Sequence, residues 1–94
     1  MYTFTAFVHL KNKVERAERE SLRKAFEKNT PQRNRPLKDF GGSVDSDPCA
    51  TNDGKTVLWF DFRAKNAYVA DDLASKIVSK FEAQVERVDV EGSY

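Results

Sequence analysis

From Tyr2 to Leu10 the chain reads YTFTAFVHL: Tyr2, Phe4, Ala6, Val8 and Leu10 share one parity, and Thr3, Thr5, Phe7 and His9 the other. A period of two with one apolar side marks a strand with a single buried face. The same period returns at 55–64 (KTVLWFDFRA), where Leu58, Phe60 and Phe62 alternate with Val57, Trp59, Asp61 and Arg63. Each of these strands is followed by a stretch of helical spacing. Over 13–29, Val14, Ala17, Leu22, Ala25 and Phe26 form an apolar stripe opposite Glu15, Arg16, Glu18, Arg19, Glu20 and Arg23. The pairs Glu15–Arg19 and Glu20–Lys24 stand one turn apart with the acid first, the better orientation on a helix.

Asn66 can cap a second helix running to about Gln84, with Ala70, Leu73, Ala74, Ile77, Val78 and Phe81 as its buried stripe. Asp71 and Asp72 suit its first turn and Lys80 its last. Glu86 to Glu91 alternates once more, with Val88 and Val90 inward. Between the two halves, Asn29-Thr30-Pro31 stops the first helix, and 31–42 (PQRNRPLKDFGG) reads as a long loop with two prolines and a glycine pair. Residues 43–51 hold Val44 but also Pro48, so a strand there belongs at a sheet edge. Asn52-Asp53-Gly54 is a tight-hairpin signal.

Two βα units joined by a hairpin give βαββαβ order. The expected fold class is therefore α+β: a ferredoxin-like two-layer sandwich with a four-stranded antiparallel sheet and both helices on one face. At 94 residues the chain has room for one such domain, spanning 1–94. The first and third strands belong inside the sheet and the proline-bearing one at its edge.

A formal net charge of +1 gives no bulk attraction to nucleic acid or anionic membrane. The charge is nevertheless uneven. Basic residues crowd the first half, whereas Asp71, Asp72, Glu82, Glu86, Asp89 and Glu91 tip the second half the other way. Cys49 is the sole cysteine, so no intrachain disulfide forms, and no apolar run approaches the ~20 residues of a membrane helix. With no signal-peptide pattern at the start, a cytoplasmic location is expected.

Parity has a consequence for the uncovered face. If Leu58, Phe60 and Phe62 pack on the helices, Trp59 emerges on the open side, and Phe7 joins it from the first strand. Large aromatics left wet forgo roughly 1.5–3 kcal/mol each. The pair therefore calls for a cover: a partner, a second copy, or a segment of the chain itself such as Tyr94 or the long loop.

The element order and aromatic placement resemble the RNA-recognition motif. Ala6-Phe7-Val8 resembles that family's first-strand motif, with Phe7 in the stacking place. Lys55 to Phe62 (KTVLWFDF) resembles its third-strand motif, with Lys55 at the basic start, Trp59 at a stacking aromatic and Phe62 at the buried close. Leu22 and Phe26 are similar to its first helix. The resemblance implies stacking of single-stranded bases on Phe7 and Trp59. The chain departs from the pattern at Thr56, where the family prefers glycine, at Val57, in place of an exposed aromatic, and at Leu10-Lys11.

Electrostatics favour a different partner. Parity puts Asp61, Asp89 and Glu91 on the open face, where carboxylates repel the phosphates that supply most nucleic-acid affinity. Arg63 and Arg87 on the same face can neutralise them as cross-strand pairs. Mixed charge around two aromatics resembles a protein hot spot. The candidate partner-binding residues are thus Phe7, Trp59, Val57 and Arg63. Lys28, Arg33, Arg35 and Lys38 add a basic loop suited to a phosphate or an acidic patch.

Catalytic motifs are missing from this pattern. With His9 the only histidine and Cys49 the only thiol, no His/Cys metal cluster can be assembled, and no cofactor is indicated. His9 is expected opposite Val57 and away from Asp61, with no base–carboxylate couple. Gly41-Gly42 lacks the lysine–hydroxyl sequel of a phosphate-binding loop. Acylphosphatases and small CRISPR-associated nucleases use this fold, but their arginine loop and strand aspartate have no counterpart here. The expected function is a non-catalytic binding or inhibitor module that engages a protein, one that itself handles nucleic acid being a possible target, or a second copy. Phage inhibitors such as anti-CRISPR proteins offer a fold-level analogy only. The alternatives are single-stranded RNA or DNA binding, and a small cofactor-free enzyme.

Overall fold

The computed structural model describes residues 1–45 and 54–93. The expected Asn52-Asp53 turn, and Pro48, Cys49 and Tyr94, lie outside them. The elements run β1 (Tyr2–Leu10), α1 (Arg16–Asn29), β2 (Lys38–Asp45), β3 (Lys55–Ala64), α2 (Ala67–Ile77) and β4 (Val85–Ser93), with short 3-10 turns at Gln32–Asn34 and Ser79–Phe81. The sheet is antiparallel in the order β2-β3-β1-β4. This is the ferredoxin-like α+β arrangement, with β1 and β3 central and β2 at an edge.

Burial follows the parity of the sequence. Phe4, Ala6, Val8 and Leu10 of β1 and Leu58, Phe60, Phe62 and Ala64 of β3 are buried. Leu22 and Phe26 of α1 and Ala70, Ala74 and Ile77 of α2 close the core over them. Tyr2, at the strand's start, stays exposed. Phe26 is the hub of the aromatic packing: its ring lies 5.4 Å from Phe81, edge-on, and 6.1 Å from Phe60.

The structure corrects four sequence expectations. The segment 31–42 is not one loop, because β2 begins at Lys38 and Leu37 is buried in the core. Phe40 stacks on Phe60 at 6.0 Å, and that contact draws the glycine pair into the sheet. Ala17 is exposed: in the first turn of α1, which starts at Arg16, it is Arg19 that turns toward the sheet.

The helix pairs also differ. Arg23 reaches Glu20 at 2.8 Å and Glu27 at 3.2 Å, whereas Arg19 bends away to the Gly42 carbonyl at 3.1 Å. The hydrogen bond from Arg23 to Glu20, with the acid's charge, holds its guanidinium above the ordinary arginine pKa. Finally, α2 ends at Ile77 rather than near Gln84. Val78 donates its N–H to the Ala74 carbonyl, Ser79 caps the Lys76 carbonyl at 2.9 Å, and the tighter turn carries Phe81 onto Phe26. Asn66 does cap α2, accepting the Val69 N–H at 2.9 Å.

Candidate functional site: the open face of the sheet

The face without helices is laid out by the register. Phe7 on β1 stands between Trp59 on β3 and Asp89 on β4, and Trp59 stands between Phe7 and Gly41 on β2. The row on one side of this runs Lys38, Asp61, Thr5, Glu91; on the other side His9 lies between Val57 and Arg87. Phe7, Val57 and Trp59 are half-buried while their immediate chain neighbours are fully buried on the helix side. The expected contact residues therefore share one surface, and Trp59 and Phe7 sit at its centre.

The indole is held flat by a missing side chain. A Cβ at Gly41 would meet Trp59 Cε2, Cζ2 and Nε1 at 2.5 Å, so the ring lies directly over the glycine backbone. Only glycine permits this approach. Its neighbour Gly42 packs under Leu58 and Arg19, where a Cβ would come within 2.9 Å of Leu58 Cδ2.

Asp61 and Asp89 of this face have partners within the sheet. Thr5 Oγ1 donates to Asp61 Oδ1 at 2.6 Å. Asp89 Oδ2 lies 3.0 Å from His9 Nε2 and 3.2 Å from Arg87 Nε. His9 is opposite Val57 as expected, but the expected absence of a base–carboxylate couple is wrong. The diagonal from β1 to β4 makes one, at a distance that strand parity alone does not give. Arg87 pairs along its own strand rather than across strands, and Arg63 leaves Asp61 to Thr5.

The basic residues divide into two roles. The 3-10 turn docks beside the end of β3: Asn34 Nδ2 donates to the Arg63 carbonyl at 3.1 Å and Asn34 Oδ1 accepts the Arg63 N–H at 3.0 Å. A groove of about 360 Å³ results, with Arg33, Lys38 and Arg63 on its walls alongside Asp61 and Thr3. Arg35 also reaches this groove, but its guanidinium turns back to donate to the Thr30 carbonyl and, at 2.9 Å, to the Lys28 carbonyl. It satisfies carbonyls at the end of α1, which otherwise lack donors. The expectation of a four-residue basic loop is corrected accordingly: Lys38 is in β2, Arg35 serves the helix, and Lys28 contributes its carbonyl to that cap. What sequence reasoning missed was the acceptor, since nothing in the pattern says which arginine meets a helix end.

Among the described residues, no group of three or more His, Cys, Asp or Glu is placed to hold a metal ion, and no helix is long and apolar enough to cross a membrane.

Neither a protein-family model nor a curated protein matches the chain. Among solved structures it is similar to the crystal structure of a dimeric protein of unknown function and ferredoxin-like fold from Bacteroides fragilis. That protein is 12% identical, with 99% of this chain and 98% of that chain covered, at a TM-score of 0.35. The fold assignment made above stands on strand order, register and helix placement.

Proposed function

We propose that this chain is a non-catalytic binding module of inhibitor type, which engages a protein surface through Phe7, Trp59 and Val57. Arg63, Arg33 and Lys38 form a basic corner to the contact. One observation carries this reading: Phe7 and Trp59 are register neighbours on the bare face, and two of its carboxylates, Asp61 and Asp89, already have partners within the sheet. Apolar centres inside a polar rim are the anatomy of protein–protein contacts. A phosphate-tracking groove needs the opposite, a surplus of cations without acids among them.

The test compares the native chain with a Phe7→Ser/Trp59→Ser variant in pull-downs treated with nuclease, both proteins first shown to be folded by circular dichroism. Capture of a protein by the native chain and its loss in the variant supports the reading. Base stacking in the manner of the RNA-recognition motif is the competing outcome. It would show as salt-dependent binding of labelled single-stranded oligonucleotides that Trp59→Ala weakens, and it would replace the protein-binding reading. Equal capture by native and variant chains would end the role of this face.

A further inference from the structure

Resting on the open face as a contact surface, we infer that its occupant is a second copy of this chain, related by a twofold axis lying in the interface parallel to the central strands. The argument is the register. In the sheet order β2-β3-β1-β4, such an axis lays β2 over β4 of the second copy and β3 over its β1. Each row across the sheet then meets its own reverse.

The row Lys38, Asp61, Thr5, Glu91 sets the exposed Lys38 ammonium over the exposed Glu91 carboxylate of the other copy, twice by symmetry, and places Asp61 over the Thr5 hydroxyl. The row Gly41, Trp59, Phe7, Asp89 sets the Trp59 position over the Phe7 position of the other copy, and the indole, which lies over Gly41, reaches toward that copy's Asp89. Opposite charges meet at the margins and aromatics at the centre.

The perpendicular twofold does worse. It sets Glu91 over Arg87 of the other copy, but at the centre it stacks Trp59 on Trp59 and Asp89 on Asp89, large against large and like charge against like. Lys38 and Glu91 are long enough to absorb the shift that the usual ~30° offset between packed sheets introduces at their margins. Size is sufficient but not generous. Four strands ~4.8 Å apart with about nine residues rising ~3.3 Å each give a footprint of roughly 500 Å². Two copies thus cover roughly 1,000 Å², the lower bound for specific interfaces.

The experiment is sedimentation equilibrium of the full chain over a micromolar concentration series. The emission of Trp59, the only tryptophan, is followed in the same samples. The native chain should dimerise with a blue shift of the indole emission. Lys38→Glu and Glu91→Lys, both at exposed positions, should each raise the dimer Kd about tenfold or more, because each juxtaposes like charges at two places. The double variant should recover most of the native Kd.

A native chain that is monomeric throughout, while Phe7→Ser/Trp59→Ser still abolishes capture of another protein, overturns the self-association and leaves the open-face reading intact. A dimer that the Phe7/Trp59 variant leaves unchanged overturns self-association through this face, whereas the open-face reading falls only on equal capture by native and variant chains. A dimer that this variant breaks but the charge swap fails to rescue overturns the proposed axis.

Discussion

Phe60 and Trp59 are adjacent in the chain and inhabit different worlds. On the helix side of β1 and β3 every side chain from Phe4 to Leu10 and from Leu58 to Ala64 is enclosed, and aromatic rings touch from several directions. On the other side, one residue along, Phe7, Val57 and Trp59 are only half-covered, and polar groups hold one another between them. The difference teaches that an alternating strand fixes two faces at once, while only the packing against each face decides what a residue there contributes. The helix side makes the fold, and the bare side leaves its aromatics only partly covered.

The sharpest way to break this contrast is Phe60→Ala. The ring is fully buried between Phe26, Phe40 and Phe62, so truncation should cost about 3–5 kcal/mol, read as a lowered urea midpoint. A loss below ~1 kcal/mol would mean the enclosed side is less tightly packed than described. Next comes Gly41→Ala, which forces the indole off the backbone. A penalty of about 1–3 kcal/mol is expected, with a changed Trp59 emission. Made in a Trp59→Ala background the same change should be nearly free, and a full penalty there would show that the indole is not its cause.

Smaller effects belong to the polar groups of the open side. Thr5→Val leaves Asp61 without its 2.6 Å donor and should cost about 0.5–1.5 kcal/mol in chemical denaturation. Least of all, His9→Gln removes one of the two partners of the half-exposed Asp89 carboxylate, so a change within ~0.5 kcal/mol is expected. A larger loss would move the His9–Asp89 contact from the rim into the structural core of the sheet.

The strands β1 and β3 were legible because their alternation is strict and each is followed by a helical stripe, leaving one way to bury both. Their faces, and hence the shared placement of Phe7, Val57 and Trp59, followed from parity alone. The start of β2 was not legible. Pro31, Pro36 and Gly41-Gly42 are ordinary loop punctuation, and here the glycines instead answer a long-range demand, the indole over one and Leu58 and Arg19 against the other. The Phe40-x-Gly42-x-Val44 alternation was the only local sign of a strand, and it is interrupted where the register shifts beside Asp39, whose φ is 52°. The His9–Asp89 diagonal was hidden because it joins strands far apart in sequence, and the Arg35 cap, though its partners are only five and seven residues away, because spacing does not say which carbonyls a long side chain will reach.

The two margins of the sheet carry a further implication. Lys38, Asp39 and an irregular register open β2, and Glu86, Arg87, Asp89 and Glu91 project along β4. Charges and irregularities on outer strands penalise the recruitment of another strand alongside. Sideways polymerisation into fibres by strand addition is thereby disfavoured.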